Sequence, residues 1–321
     1  MLKVISVCVA VMAAFTVNGF AKEAGQVKVA ITQLVAHPAA DTIRKGVEDA
    51  LAENGYKDGE NLRLTFLSAQ GSIPMATQIA RKFVGDEPDV IVAIGTPSAQ
   101  TMVAATKKIP IIFAAVSDPI EAKVVPSLTK IGGNVTGISD RLDVSGILAS
   151  LKEVKPDLEK IGYLYNASEA NSVSTLKVFK NLASKAGIEV IPSSAPKSSD
   201  VQAATRALIG KVDIIVIPAD NTIISVLEGA AKVALEAKTP LFAVDSNSIG
   251  RGPFMTQGVD FHAIGIDAGK LVLRVLKGEK PGDIDVVYAA NKNIWVDMKA
   301  AKKASIVVPQ AILERAVGVI Q

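Results

Sequence analysis

The chain has 321 residues, of which 49% are hydrophobic and only 4% aromatic, and a formal net charge of +3. That length accommodates two α/β domains whose cores are built from Ala, Val, Ile and Leu. The small, evenly spread charge gives no support to a nucleic-acid partner or an anionic-membrane surface.

Met1-Leu2-Lys3 gives a positive start, residues 4–15 are apolar, and Gly19-Phe20-Ala21 sets small residues at a cleavage site before Lys22. Residues 1–21 read as a secretory signal peptide rather than an anchor, because the apolar run is too short to span a bilayer and charge resumes at once. The expected location is periplasmic. The single cysteine, Cys8, lies inside this leader, so the mature chain is expected to hold no disulfide, thiol nucleophile or thiolate metal ligand.

Residues 27–32 (VKVAIT) read as a first strand and 33–38 (QLVAHP) as the loop at its C-terminal end. Ile43, Val47, Ala50 and Leu51 then share one face of a helix over 41–54 that closes at Gly55. A strand over 61–67, a turn at Gln70-Gly71-Ser72 and a helix over 75–84 follow. Asp89 leads into an apolar strand, after which Gly95-Thr96-Pro97 opens a helix whose free N–H groups can hold an anion. Residues 110–116 (PIIFAAV) form a further buried strand ending at Ser117-Asp118-Pro119. This order predicts a parallel, doubly wound sheet.

Residues 134–140 (NVTGISD) lack helical period and read as the first crossover between lobes. After a helix over 143–154 the plan restarts, with strands over 161–165, 188–191, 212–217 and 240–244 alternating with a helix that follows the polar run 166–172 and reaches Lys185, and with helices over 199–209 and 223–237. Residues 254–259 read as an edge strand and 264–276 as a helix. Short strands over 285–288 and 294–296 and a terminal helix over 311–317 complete the chain.

In open α/β sheets ligands bind outside the carboxyl ends of strands, where strand order reverses. The polar residues at those ends are the candidate ligand-binding set: Gln33, His37, Thr96, Ser98, Ser117, Asp118, Asn166, Glu169, Asn171, Ser172, Asp220, Asn221, Thr222 and Asp245. Hydroxyls, amides and a few carboxylates suit a zwitterion, since helix-start N–H groups take its carboxylate and an acid takes its ammonium. Asp118 or Asp245 is expected to receive the ammonium, with Thr96 and Asn166 holding the carboxylate. Thr96, Ser117, Asn171 and Asp220 also fit plain helix N-caps, a role compatible with binding. His37 beside Pro38 reads first as a loop residue, and Trp295, Tyr163 and Tyr165 as packing residues.

Enzyme signatures are missing. With two histidines and no mature cysteine, a zinc site of the usual kind cannot be built. Gly132-Gly133 is not followed by the Lys-Ser/Thr of a phosphate loop, the first strand lacks GxGxxG, and Gly-x-Ser-x-Gly is absent. No catalytic residue, metal or cofactor is expected.

A set of short motifs is distinctive when taken together: His37-Pro38 with Arg44-Lys45-Gly46, Gly55-Tyr56 with Gly59 and Asn61, Ala69-Gln70-Gly71, and Gly95-Thr96-Pro97-Ser98-Ala99-Gln100. It continues in Ser117-Asp118-Pro119, Gly132-Gly133-Asn134-Val135-Thr136-Gly137, Tyr165-Asn166 with Asn171-Ser172, Asp220-Asn221-Thr222 and Leu276-Lys277-Gly278-Glu279. From residue 29 to 315 the chain resembles ABC-transporter substrate-binding proteins of the tryptophan/tyrosine type, built on the type I periplasmic-binding-protein fold. The resemblance implies α/β architecture with two doubly wound parallel-sheet lobes joined by three crossovers, one lobe of residues 27–139 plus 259–287 and one of 140–258 plus 288–321. It implies a monomeric, non-enzymatic component of an ABC importer that closes on a small zwitterionic solute, an amino acid, and passes it to a membrane permease. A periplasmic sensor presenting its ligand to a membrane receptor is the alternative. Leu34 stands where relatives often carry tyrosine, and Asp260-Phe261-His262 where they often carry paired aromatics, so the resemblance implies an aromatic ligand less strongly.

Overall fold

The structure is a computed structural model that describes residues 26–290 and 293–321; the leader expected over residues 1–21 lies outside them. Its first half alternates β1 (Val27–Gln33), α1 (Pro38–Glu53), β2 (Leu62–Ser68), α2 (Ile73–Asp86), β3 (Val90–Ile94), α3 (Thr96–Ala105), β4 (Ile111–Ala114) and β5 (Val135–Ser139). After α4 (Val144–Val154) the alternation returns as β6 (Lys160–Tyr165), α5 (Ala170–Lys185), β7 (Glu189–Ser194), α6 (Val201–Arg206), β8 (Ile214–Ile217), α7 (Asn221–Ile224), α8 (Leu227–Glu236), β9 (Leu241–Asp245) and β10 (Met255–Val259). The chain ends in α9 (Phe261–Leu276), β11 (Val287–Tyr288), β12 (Asn293–Asp297), α10 (Met298–Lys303), α11 (Gln310–Arg315) and β13 (Gly318–Ile320).

Two sheets result. The first is ordered β11-β5-β4-β3-β1-β2 and is parallel throughout. The second is ordered β13-β12-β10-β9-β8-β6-β7 and is parallel except where β10 meets β12. The chain passes between sheets after β5, after β10 and between β11 and β12, so two parallel-sheet α/β lobes are joined by three crossings.

The strands read as unbroken apolar runs because both faces of each sheet are covered. Successive side chains point to opposite faces, so in β3 Val90, Val92 and Ile94 join the layer of α1 and α9 around Ile43, Val47 and Val272. Ile91 and Ala93 join the opposite layer around Phe83 and Met102 of α2 and α3. The second sheet is divided the same way, with Tyr163, Val216 and Phe242 facing α4 and α5, and Leu164, Ile215 and Ala243 facing α6 and α8. Tyr163 is fully buried, its ring 5.4 Å from that of Phe179. Truncating such a ring to alanine costs about 3–5 kcal/mol.

Three local expectations are corrected. Residues 135–139, read from sequence as a crossover, form β5, in register with β4 from Ile111–Val135 to Ala114–Ile138. Their lack of helical period reflected a strand buried on both faces, and the crossing begins only at Asp140. β10 is no edge strand, since β12 pairs antiparallel to its outer side. The helix expected over 223–237 is broken after Ile224, where the Ser225 hydroxyl bonds the Thr222 carbonyl and the Arg251 guanidinium takes the Ile224 carbonyl. Both bonds compete with the helical ladder.

Candidate functional site

The two sheets share one plan. Strand order reverses between β1 and β3 in the first and between β6 and β8 in the second, which are the points where an open α/β sheet leaves a crevice at its strand ends. A pocket between the lobes meets both crevices. His37, Gly95 and Thr96 line it beyond β1 and β3, Ser117 and Asp140 beyond β4 and β5, and Asn171 and Asn221 beyond β6 and β8. Ile43, Ala115, Ala219, Ile224 and Phe261 make its apolar walls. The empty space amounts to about 400 Å³ to the mouth, of which the centres of water molecules can occupy only about 30 Å³, so the lobes stand close together.

The second-lobe side is dense with hydrogen bonds. Glu169, 3% exposed, receives the Asn221 N–H at 3.0 Å and Nδ2 at 2.6 Å, the Thr222 N–H at 2.9 Å and hydroxyl at 2.8 Å, and Asn171 Nδ2 at 3.2 Å. Asp220 caps α7 by accepting the Ile223 N–H at 3.0 Å, and also receives the Asn166 N–H at 2.6 Å and the Ser172 hydroxyl at 2.5 Å. Burial and the nearby Glu169 carboxylate push the Asp220 carboxyl well above its usual range, against the pull of those three donors. The network fixes the Asn171 and Asn221 side chains at the pocket wall.

Its polarity extends across the cleft. Asn221 Nδ2 donates to Glu169, so Oδ1 is left to accept, and it lies 3.3 Å from His37 Nε2. His37 Nδ1 meanwhile accepts the Ala40 N–H as the N-cap of α1. The neutral imidazole with its proton on Nε2 satisfies both bonds. Asn247 Nδ2 makes a second bridge between the lobes, 2.9 Å from the Thr42 hydroxyl, and Lys177 and Glu121 approach to 3.4 Å.

The first-lobe side is open by contrast. α3 begins after Gly95, whose φ of +81° and ψ of 157° suit glycine alone, and no side chain caps it. The Thr96 hydroxyl is buried without a partner. Asp140, 3% exposed at the point where the chain leaves β5, has no partner for Oδ1. Burial pushes its carboxyl up to about 6, with the Asp245 charge adding to the rise and the Ser117 hydroxyl and its own backbone N–H opposing it.

Of the fourteen residues singled out from sequence, His37, Thr96, Ser117, Asn171 and Asn221 line this pocket. Asn166, Glu169, Ser172, Asp220 and Thr222 form the network behind it. The remaining four lie elsewhere. Gln33 donates to Asp41 at 3.0 Å, Ser98 is buried with its hydroxyl unpaired, and Asp118 caps the Glu121 N–H at 2.9 Å beside Arg141, in an adjoining pocket lined also by Ser174 and Thr175. Both carboxylate oxygens of Asp245 are taken, by the Asn247 N–H at 2.8 Å and the Ser248 hydroxyl at 2.9 Å. Of the four residues that also fit helix N-caps, only Asp220 caps a helix. Sequence reasoning passed over Asp140 because its strand was taken for a linker; the strand-end rule would have found it once β5 was recognised.

Among the described residues, no group of His, Asp and Glu side chains is placed to hold a metal ion, and no helix is long and apolar enough to cross a membrane. Residues 28–320 match the family model of the ABC transporter substrate binding protein. The Tyrosine-binding protein of Clostridioides difficile (strain R20291) is 43% identical over 277 residues, 86% of this chain and 80% of that one. A structure of the ABC domain from Streptococcus pneumonia in complex with L-Trp superposes with a TM-score of 0.89 at 34% identity, over 92% of this chain and 100% of the other. The ligand-free, open structure of a substrate binding protein with adhesive properties from Clostridium difficile gives 0.69 at 38% identity, over 92% and 99% of the two chains. With nearly every described residue inside the family match, and two lobes presenting unreactive polar groups to one cleft, the chain belongs to the ABC transporter substrate binding proteins, a family that binds solutes without transforming them.

Proposed function

We propose that this chain is the extracytoplasmic solute-binding component of an ABC importer, taking an amino acid, L-tyrosine or L-tryptophan foremost, between its lobes and closing over it. The observation that carries this reading is the pocket itself, in which an acid and an uncapped helix start face one narrow space walled by aliphatic side chains and Phe261. Those two poles suit the ammonium and carboxylate of an amino acid, and the apolar wall suits its side chain. The relative named for tyrosine and the neighbour solved with L-Trp point to the same ligand class.

Closure has its own support. The arrangement of the lobes scores 0.89 against the L-Trp complex and 0.69 against the ligand-free open structure, although the open relative is the more similar in sequence, 38% against 34%. Lobes that keep their folds and change their mutual angle lower a whole-chain score in this way. A ligand touching both lobes favours the closed state by its difference in affinity for the two states, and the closed form is the one offered to a permease. The leader at residues 1–21 fits a place outside the cytoplasm.

Thermal unfolding of the mature chain with each common amino acid, small sugars and purines tests the ligand class. An amino acid at one hundred times its Kd stabilises the fold by about 2.7 kcal/mol, a shift of several degrees. Expected first in rank are tyrosine and tryptophan, with a smaller radius of gyration in solution scattering when they are bound. Stabilisation by sugars or purines alone would remove the amino-acid reading. Loss of labelled-tyrosine uptake in cells lacking the gene checks the importer role.

A further inference from the structure

We propose that Asp140 is the ammonium anchor of the interlobe pocket, so that the protein selects ligands carrying a free, protonated amine. This rests on the amino-acid reading above and names the group that enforces it. The other acids near the cleft are already engaged. Glu169 and Asp220 are filled by backbone and side-chain donors, Asp245 has both oxygens occupied, and Asp118 caps its own loop with Oδ1 and does not line this pocket. Among the described residues Asp140 alone lines the pocket as a buried carboxyl, with an oxygen that none of them satisfies.

Among the described residues no lysine or arginine lines that pocket, so a ligand's own cation is the natural balance for an ionised Asp140. The opposite pole is at the right place. Ile94, Ala114 and Ile138 stand side by side across β3, β4 and β5, and Thr96 and Asp140 each follow two residues later. Two strand spacings separate these residues by roughly 10 Å. The ammonium and carboxylate of one α-amino acid, each with its hydrogen bond, bridge such a span, placing the carboxylate at the start of α3 with its unpaired Thr96 hydroxyl. From the second lobe Asn171 offers another orphaned acceptor, because its Nδ2 is taken by Glu169 and the Ala219 carbonyl while Oδ1 has no partner.

The anchor also makes binding sensitive to acid. Around Asp140 stand the Ser117 hydroxyl, the Asp245 carboxylate and the adjacent Arg141, with His37 and Arg251 near Asp245. With the lobes close together Asp140 is held near 6 by burial, and an incoming ammonium favours its ionised form. Below that pH, binding must therefore release a proton, and affinity falls as the pH drops.

Calorimetry on the mature chain compares L-tyrosine with 3-(4-hydroxyphenyl)propionate, which is tyrosine without its amine, in the wild type, Asp140→Asn and Asp245→Asn. The wild type is expected to prefer tyrosine by about 100-fold and Asp140→Asn to lose most of that ratio, while Asp245→Asn keeps it. At pH 5 tyrosine binding should release about one proton, read from heats in two buffers of different ionisation enthalpy. That readout needs no variant and stands even if Asp140→Asn fails to fold. Tight tyrosine binding with an unchanged ratio in Asp140→Asn, or with no proton release at pH 5, overturns the anchor and leaves the amino-acid reading in place. A wild type that binds neither tyrosine nor tryptophan overturns both.

Discussion

The turn after β3 and the turn after β8 occupy matching places in the two lobes and are built in opposite ways. After β8, Asp220 caps α7, and Glu169 takes the donors of the next two residues, so every polar group has a fixed direction. After β3, a glycine stands where a capping side chain would be, and the Thr96 hydroxyl has no partner. Buried polar groups ordinarily find partners, and leaving one without costs about 1–3 kcal/mol. One half of the cleft is therefore assembled in advance, and the other is completed by what enters it.

Removing the acid that organises the finished half should have the largest effect. Glu169→Ala strands the four donors of Asn221 and Thr222 at once and is expected to cost about 3–5 kcal/mol in chemical denaturation and to abolish tyrosine binding. Glu169→Gln should do nearly as badly, because an amide NH₂ would face groups that are themselves donors. An open half that depends on its ligand responds with the opposite sign. An acid held near 6 in the fold and near 3.8 when unfolded favours its protonated form in the native state, so the close-lobed fold gains stability as pH falls between those values. Asp140→Asn keeps a neutral group at every pH. It should stabilise the close-lobed fold by on the order of 3 kcal/mol at pH 8, and the gain should vanish near pH 4, as read by unfolding at the two pH values.

Two smaller changes sharpen the contrast. Gly95→Ala forces an L-residue into a backbone region that only glycine visits freely, and its Cβ would lie 3.4 Å from Asn221 Oδ1 across the cleft. A loss of about 2 kcal/mol is expected in thermal unfolding, with the lobes held further apart in solution scattering. Thr96→Val removes a hydroxyl that has no partner among the described residues. The melting temperature should stay level or rise slightly, while tyrosine affinity falls about tenfold by calorimetry.

The division into lobes was legible because buried parallel strands advertise themselves. VIVAI and IIVI are apolar on both faces and end in polar turns, and no tertiary detail is needed to see it. β5 was hidden because VTGIS is short, carries a threonine and a glycine, and gains its character only by lying against β4. Gly137 shows the closeness of that approach, since a Cβ there would meet the Phe113 carbonyl oxygen at 2.1 Å. The same blindness concealed Asp140. Strand ends also could not reveal which acids are spent. Asp118, Asp245 and Asp140 look alike as residues following strands, and only the positions of the Glu121 N–H, the Asn247 N–H and the Ser248 hydroxyl separate the first two from the third.

A crystal structure of the mature chain grown with L-tyrosine tests most directly whether the ligand completes the unfinished half of the cleft. The expected density places the ammonium within hydrogen-bond distance of Asp140 Oδ1 and the carboxylate against Thr96 at the start of α3, with Glu169 and Asp220 keeping their present partners. A tyrosine whose amine and carboxylate bind only the second-lobe residues, leaving Asp140 and Thr96 as they are in the empty protein, would contradict it.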